Sequence, residues 1–328
     1  MAFRIRKLVE KLDLEVNARV NFNKLGLKRA IIFTEALPGQ WDNLWNIMEK
    51  LGCMTYLTKC YNGNFYGCYG IFAFPAENYH RLEKYFDTAK KLELLKNATI
   101  FWTTNLVEVH PSFEWYDFKK NKWIFHWKKW IKEIQEANHN LSTDLVDPKE
   151  YPILADKKDL MLLRQLEKDG MTSFEDLSEI VDLSPRAVAY RYKKRLIKRQ
   201  LIIDHMVHFF PYPYQNSNVC TFTIQFLDHK KLSKFVNSLN NKPFILSYAK
   251  VLGKNILITN TYIPTQEFPE FMNMLGLFTK MGFIKDFSYV TLTLIPHKRG
   301  GVPYEFFKKG IWKCNLESNL NKLMTIIK

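Results

Sequence analysis

An α+β fold is predicted, on three observations. A strand–helix–hairpin–helix–strand succession occurs twice along the chain. Between the two copies lies a run of three short helices, each opened by a residue suited to capping. Each copy is closed by an aromatic, tryptophan-containing extension. Each β-α-β-β-α-β succession corresponds to a ferredoxin-like domain, and the three helices followed by strands to a winged helix-turn-helix.

The first copy reads as strand 29–36, helix 40–51, hairpin 54–75, helix 78–95 and strand 98–110. The second reads as strand 219–227, helix 230–240, hairpin 246–263, helix 265–281 and strand 287–296. Both hairpins turn on glycine and asparagine, Asn62-Gly63 and Gly253-Lys254-Asn255, where a positive φ costs little. Both last strands end at a His and Pro pair, His110-Pro111 and Pro296-His297. Phe113-Glu114-Trp115-Tyr116 with Trp123 follows the first, and Tyr304-Glu305-Phe306-Phe307 with Trp312 follows the second. In the second copy Cys220, Phe222, Ile224 and Phe226 alternate with Thr221, Thr223 and Gln225, the pattern of a sheet covered by helices on one face. The domains drawn from this reading are 25–127 and 214–328, with a helix and linker over 128–155 and the winged helix-turn-helix over 156–213.

The three helices carry the most specific signal. Asp156 caps the first, whose Leu160, Leu163 and Leu166 recur at helical spacing, and Asp169-Gly170 closes it. Ser173 caps the second, with Phe174, Leu177 and Val181 as its apolar stripe. Ser184 followed by Pro185 opens the third, expected over 185–199. Strands at 201–203 and 206–210 are expected as the wing. In the third helix Val188, Tyr192 and Leu196 are four apart and face the core. That leaves Arg186, Ala187, Tyr190, Arg191 and Lys194 on the outer face: the first four for base edges, with Lys193, Lys194, Arg195 and Lys198 for phosphates or flanking backbone. Ser184, at the helix start, joins this set. Arg191→Ala is then expected to weaken specific binding by about 1–3 kcal/mol.

Composition agrees with a nucleic-acid partner. The 328 residues carry a formal net charge of +15, which favours polyanions. Hydrophobic residues at 47% and charged residues at 25% exclude a disordered chain. No apolar run reaches the ~18 residues of a membrane span, and the start lacks a signal-peptide core, so a cytoplasmic protein with no membrane partner is expected. Cys53, Cys60, Cys68, Cys220 and Cys314 are odd in number and form no C-x-x-C, so buried free thiols are expected rather than a zinc ribbon or disulfides.

The order Asp156, Asp159, Leu162-Leu163, Leu166, Asp169-Gly170, Ser173, Leu177, Val181, Leu183-Ser184, Val188, Arg191 resembles the winged helix-turn-helix of Lrp/AsnC transcription regulators, in the archaeal style, with a duplicated effector (RAM-like) domain. Ser178 stands where that family has Ala, Asp182 and Gln200 where it has Gly, and the third helix is one residue longer near Arg195. The resemblance implies double-stranded DNA as partner and a homodimer or an intrachain pseudo-dimer of RAM-like domains. It also implies a small-molecule effector at the hairpin turns, here Gly63 and Asn64, Gly253 and Asn255, without the acidic residue the family places there. Residues 1–24 resemble a partial second copy: Arg4, Arg6 and Lys7 match the recognition helix as secondary DNA contacts, and 13–22 match its wing.

No nucleophile elbow, P-loop, dinucleotide fingerprint or zincin motif occurs, so no catalytic residue, metal site or cofactor is expected, and the chain reads as a non-enzyme. Two other readings remain. Siroheme decarboxylases resemble this family in architecture, which draws attention to His205 and His208. The ferredoxin-like sheet is also shared with RNA and single-strand binders, for which Tyr56, Phe65, Tyr69, Phe101 and Trp102 would be the stacking aromatics.

Overall fold

The computed structural model describes residues 14–110, 112–314 and 316. Arg4, Arg6 and Lys7 lie outside the described residues. Along the chain, strand β1 (Glu15–Val20) is followed by β2 (Leu27–Glu35), helix α1 (Trp41–Lys50), β3 (Met54–Asn62), β4 (Phe65–Pro75), α2 (His80–Lys91) and β5 (Asn97–Thr103). Short strands β6 (Val107–Glu108), β7 (Tyr116–Asp117) and β8 (Lys122–Trp123) lead into α3 (Trp127–Glu136). The three-helix run is α4 (Lys157–Lys168), α5 (Phe174–Val181) and α6 (Pro185–Arg191), the last continuing as a π-helical turn, Tyr192–Ile197. Then come β9 (Ile202–His208), β10 (Ser217–Phe226), α7 (His229–Asn237), β11 (Ile245–Lys250), β12 (Ile256–Pro264), α8 (Phe268–Lys280), β13 (Ile284–Arg299), β14 (Phe307–Lys308) and β15 (Ile311–Trp312).

The chain forms two units. One comprises residues 1–102, 148–209 and 293–328; the other comprises 103–147 and 210–292. In the first, the strand order is β5-β2-β4-β3, the ferredoxin-like order, with the end of β13 beside β3. There Thr58 Oγ1 donates to the Thr293 carbonyl at 2.5 Å. Leu44, Ile47 and Met48 of α1 and Leu82, Tyr85 and Phe86 of α2 cover one sheet face. The second unit repeats the order as β13-β10-β12-β11, extended by β6. Phe222, Ile224 and Phe226 of β10 pack against Leu232 and Phe235 of α7 and Phe271 and Leu275 of α8, with Trp130 of α3 fully buried among them. The alternation read from the sequence is thus the helix-facing side of β10, and each core side chain contributes about 1.5–3 kcal/mol by leaving water.

The helix-turn-helix belongs to the first unit. Its core gathers three distant stretches: Ala18, Val20, Phe22, Leu25 and Leu27; Leu160, Leu163, Leu166, Leu177, Val188 and Leu196; and Val302, Phe307 and Trp312. The expected wing, two strands within 201–210, is corrected here. The strand β9 is continuous and pairs antiparallel with β1, Ala18 opposite His205 and Arg19 opposite Asp204. A bidentate ion pair, Arg19 Nε to Asp204 Oδ1 at 2.9 Å and Nη2 to Oδ2 at 2.5 Å, joins the strands. The extension after β13 caps the same core, where Trp312 Nε1 donates to the Leu25 carbonyl at 2.6 Å. Two side chains close over Gly301: a Cβ there would lie 2.2 Å from Arg164 Nη1 and 2.4 Å from Glu167 Oε2, the atom that accepts the Val302 amide, so a larger residue would displace them.

Candidate nucleic-acid interface

Every helix of the head starts on a side-chain cap. Asp156 Oδ1 accepts the Asp159 amide at 3.0 Å while Asp159 Oδ2 accepts the Asp156 amide at 3.1 Å, a reciprocal capping box. Ser173 accepts the Asp176 amide and Ser184 the Ala187 amide, which occupies Ser184 Oγ with the start of α6. Two turn positions where the family has glycine carry side chains in left-handed backbone, Asp182 at φ 50° and Gln200 at φ 55°. The additional residue near Arg195 is absorbed as the π-turn at Tyr192–Ile197, the form a one-residue insertion takes inside an α-helix.

The basic residues divide between two sides of the helix. Arg191, expected on the outer face, and Arg195, expected at phosphates, both turn inward to the start of α4. Arg191 Nη1 lies 2.8 Å from Asp156 Oδ2 and 2.7 Å from Asp159 Oδ1. Arg195 reaches Asp159 Oδ2 through Nε at 2.8 Å and Nη2 at 2.6 Å, and Asp156 Oδ2 at 3.0 Å. Asp159 is wholly buried, so two guanidinium groups balance two carboxylates. Partial burial pushes the Asp156 carboxyl up, but the Arg191 hydrogen bond, the Asp159 amide and both arginine charges outweigh it and hold the carboxyl below its usual range. Burial likewise works against the Arg191 charge, and the hydrogen bonds to Asp156 and Asp159 overcome it.

The remaining residues form one exposed stripe. Arg186, Tyr190, Lys193, Lys194 and Lys198 are exposed, Tyr190 to 64%, while Ala187 is half-buried. None of these five side chains makes a hydrogen bond or ion pair with a described residue. Their spacing of four, three or four, and four keeps them on one side of the helix. Beside them Lys24 Nζ donates to Gln200 Oε1 at 2.6 Å, which pins the helix end to the segment after β1.

The wing histidines do not converge. They sit three apart in one continuous strand, opposite Ala18 and Glu15, so they point to opposite faces. His205 Nε2 lies 3.5 Å from the Tyr192 hydroxyl. Of the aromatics considered for base stacking, Tyr69 is buried; Tyr56, Phe65, Phe101 and Trp102 are half-buried. Tyr56 packs on Tyr69 and His297. Gly63 and Gly253 are positive-φ turn residues with open space where a side chain would be. Asn64 is exposed, and the Asn255 carbonyl accepts the Phe226 amide. An acid absent from the local sequence does stand at the second turn: Asp147 accepts the Gly253 amide at 2.9 Å and Lys250 Nζ at 2.5 Å. Only its place at the end of the linker, beside a Pro, hinted at an ordered role.

Comparison with known proteins bears on this head and on the chain as a whole. Residues 156–194 match the AsnC-type helix-turn-helix domain. That stretch is a helix-turn-helix of AsnC type. Over nearly its full length it is similar to the crystal structure of the siroheme decarboxylase NirDL (11% identity, 98% of this chain and 87% of that one, TM-score 0.52). The same enzyme in co-complex with an iron-uroporphyrin III analogue gives 12% identity, 99% and 88% coverage, and a TM-score of 0.54. An AsnC family transcriptional regulator from Agrobacterium tumefaciens is similar at 19% identity over 47% of this chain and 100% of that one, TM-score 0.37. No curated protein matches the chain in sequence. The whole-chain likeness corrects the expectation of a non-enzyme. The architecture is one on which a decarboxylase is built, and the absence of common catalytic motifs does not exclude catalysis on it.

Proposed function

We propose that the chain is a DNA-binding transcription regulator of Lrp/AsnC type that reads duplex DNA through α6. The observation that carries this reading is the stripe of Arg186, Tyr190, Lys193, Lys194 and Lys198, exposed and, among the described residues, unpaired on the third helix of an AsnC-type helix-turn-helix. Arg186 and Tyr190, nearest the helix start, meet base edges in the major groove, and the three lysines meet phosphates. Arg191 and Arg195 act indirectly, by fixing α6 against α4. Each chain offers one complete head among its described residues, so a symmetric operator engages two chains. A small effector, if one is used, sits at the Gly253 turn with Asp147 beside it. Selection of random duplex fragments across a salt series tests the reading. An enriched motif with a steep salt slope supports it; absence of duplex binding at low salt overturns it.

The whole-chain likeness to a siroheme decarboxylase favours a second reading, in which a tetrapyrrole is the substrate. His205, close to the Tyr192 hydroxyl, is then the first residue to substitute. A shifted absorption band when an iron tetrapyrrole is added to the purified chain, lost in His205→Ala, supports this reading; an unchanged band refutes it.

A further inference from the structure

The thiols of Cys53 and Cys314 are 261 residues apart in sequence, yet their sulfurs lie 3.2 Å from each other. We propose that they form a reversible disulfide that clamps the C-terminal extension onto the first ferredoxin-like domain. Two sulfurs at this distance are nearer than non-bonded packing favours, and a small movement brings them to bonding range. Their surroundings hold them there. Cys53 follows Gly52 in left-handed backbone, and the missing side chain of Gly52 leaves room for the Phe306 ring, 2.8 Å from where a Cβ would be. On the other side the Lys313 amide donates to the Phe306 carbonyl at 2.8 Å, and Leu316 is buried in the α1–α2 core. Cys314 is therefore anchored on both sides of its own position.

The two thiols are chemically unequal. Cys53 is buried and donates its hydrogen bond to Cys314, which holds the Cys314 thiol below its ordinary range although burial opposes this. Cys314 is also the half-buried member of the pair, hence the one a small oxidant meets first. Hydrogen peroxide supplies the oxidising equivalents. The Cys314 thiolate attacks one peroxide oxygen, the O–O bond breaks, and hydroxide leaves a sulfenic acid. The Cys53 sulfur then attacks the Cys314 sulfur, the S–O bond breaks, and the Cys53 proton leaves with the departing oxygen as water. Two thiol sulfurs are oxidised and one peroxide is reduced; a dithiol reverses the reaction. Cys60, Cys68 and Cys220 provide internal contrast. Burial drives the Cys60 thiol far up, the Cys68 thiol to about 12 and the Cys220 thiol to about 11.

The clamp bears on the head because the extension it holds also supplies Phe307 and Trp312 to the helix-turn-helix core. Peroxide titration of the full chain tests it, read by intact mass and peptide mapping. The expected result is loss of two hydrogen atoms' mass, a single Cys53–Cys314 linked peptide, and its reversal by dithiothreitol. Cys314→Ser abolishes the linkage, Cys220→Ser leaves it, and the oxidised chain resists proteolysis around residue 313 several-fold better than the reduced one. A disulfide between other cysteines, a Cys314 that stops at the sulfinic acid unlinked, or no change in proteolysis on oxidation would overturn the proposal. Cys53→Ser gives a separate reading: a persistent sulfenic acid at Cys314 supports the order of steps.

Discussion

Asp159 is the residue on which the inward arginines depend, and Asp159→Asn isolates its charge with little change of shape. The side chain is fully buried and accepts from the Asp156 amide, from Arg191 at 2.7 Å and from Arg195 at 2.8 and 2.6 Å. Asparagine retains one acceptor oxygen and turns an amino group toward a guanidinium, donor against donor. Removing one partner of a buried ion pair costs about 3–5 kcal/mol. Here Arg191 and Arg195 are 21% and 25% exposed and keep Asp156 as a partner, so solvent screening reduces the loss to about 2–3 kcal/mol. At about 1.4 kcal/mol per factor of ten, the opening equilibrium of the head rises roughly 30- to 150-fold. Hydrogen exchange read on peptides covering α4 to α6 measures this, because protected amides exchange in proportion to that equilibrium. Protection in α1, α2, α7 and α8 stays at the wild-type level. If exchange in α4 and α6 rose less than threefold, the cluster would be a surface ornament and the inward role of Arg191 and Arg195 would be wrong.

On the outer face, Arg186→Ala and Tyr190→Ala are each expected to weaken specific duplex binding by about 1–3 kcal/mol with exchange protection unchanged; equal loss of protection would make them structural. Lys194→Ala should weaken all sequences alike and lower the salt slope by about one, measured by titration at several salt concentrations. Asp182→Gly relieves left-handed backbone at the end of α5 and should stabilise the head by about 0.5–1 kcal/mol, seen as a later thermal transition. The Asp156 carboxyl lies below its unfolded range, so its stabilisation is full above the ordinary carboxylate range and is lost as pH falls through the folded value. Exchange protection of α4 should therefore drop on strong acidification, and Asp156→Asn should flatten that part of the profile.

Features written in neighbouring residues were legible in the sequence. The caps at Asp156, Ser173 and Ser184, the apolar spacing of Leu160, Leu163 and Leu166, and the glycine turns each predict an element within a few residues of where it forms. What escaped depends on distant partners. The wheel read from the sequence puts Arg191 outside; its ion pairs to two aspartates some 35 residues earlier hold it inside. The pair Asp156 and Asp159 opposite Arg191 and Arg195, both at helical spacing, was the available sign. The β1–β9 wing, the Asp147 contact at Gly253 and the Cys53–Cys314 approach join residues more than 100 apart, and no local pattern announces them.

The three-stretch core of the head has a consequence for synthesis of the chain. Its β1 strand emerges from the ribosome early and must wait for β9, about 185 residues later; Phe307 and Trp312 come later still. Closing loops of that length is slow relative to forming the helices themselves. A nascent chain can therefore display α4, α5 and α6 before the apolar side chains beneath them are covered. The head reaches its finished form only once residue 312 is free, so prematurely terminated products carry the basic stripe without the rigid support that aims it. The order of synthesis thereby sets when the stripe gains its support.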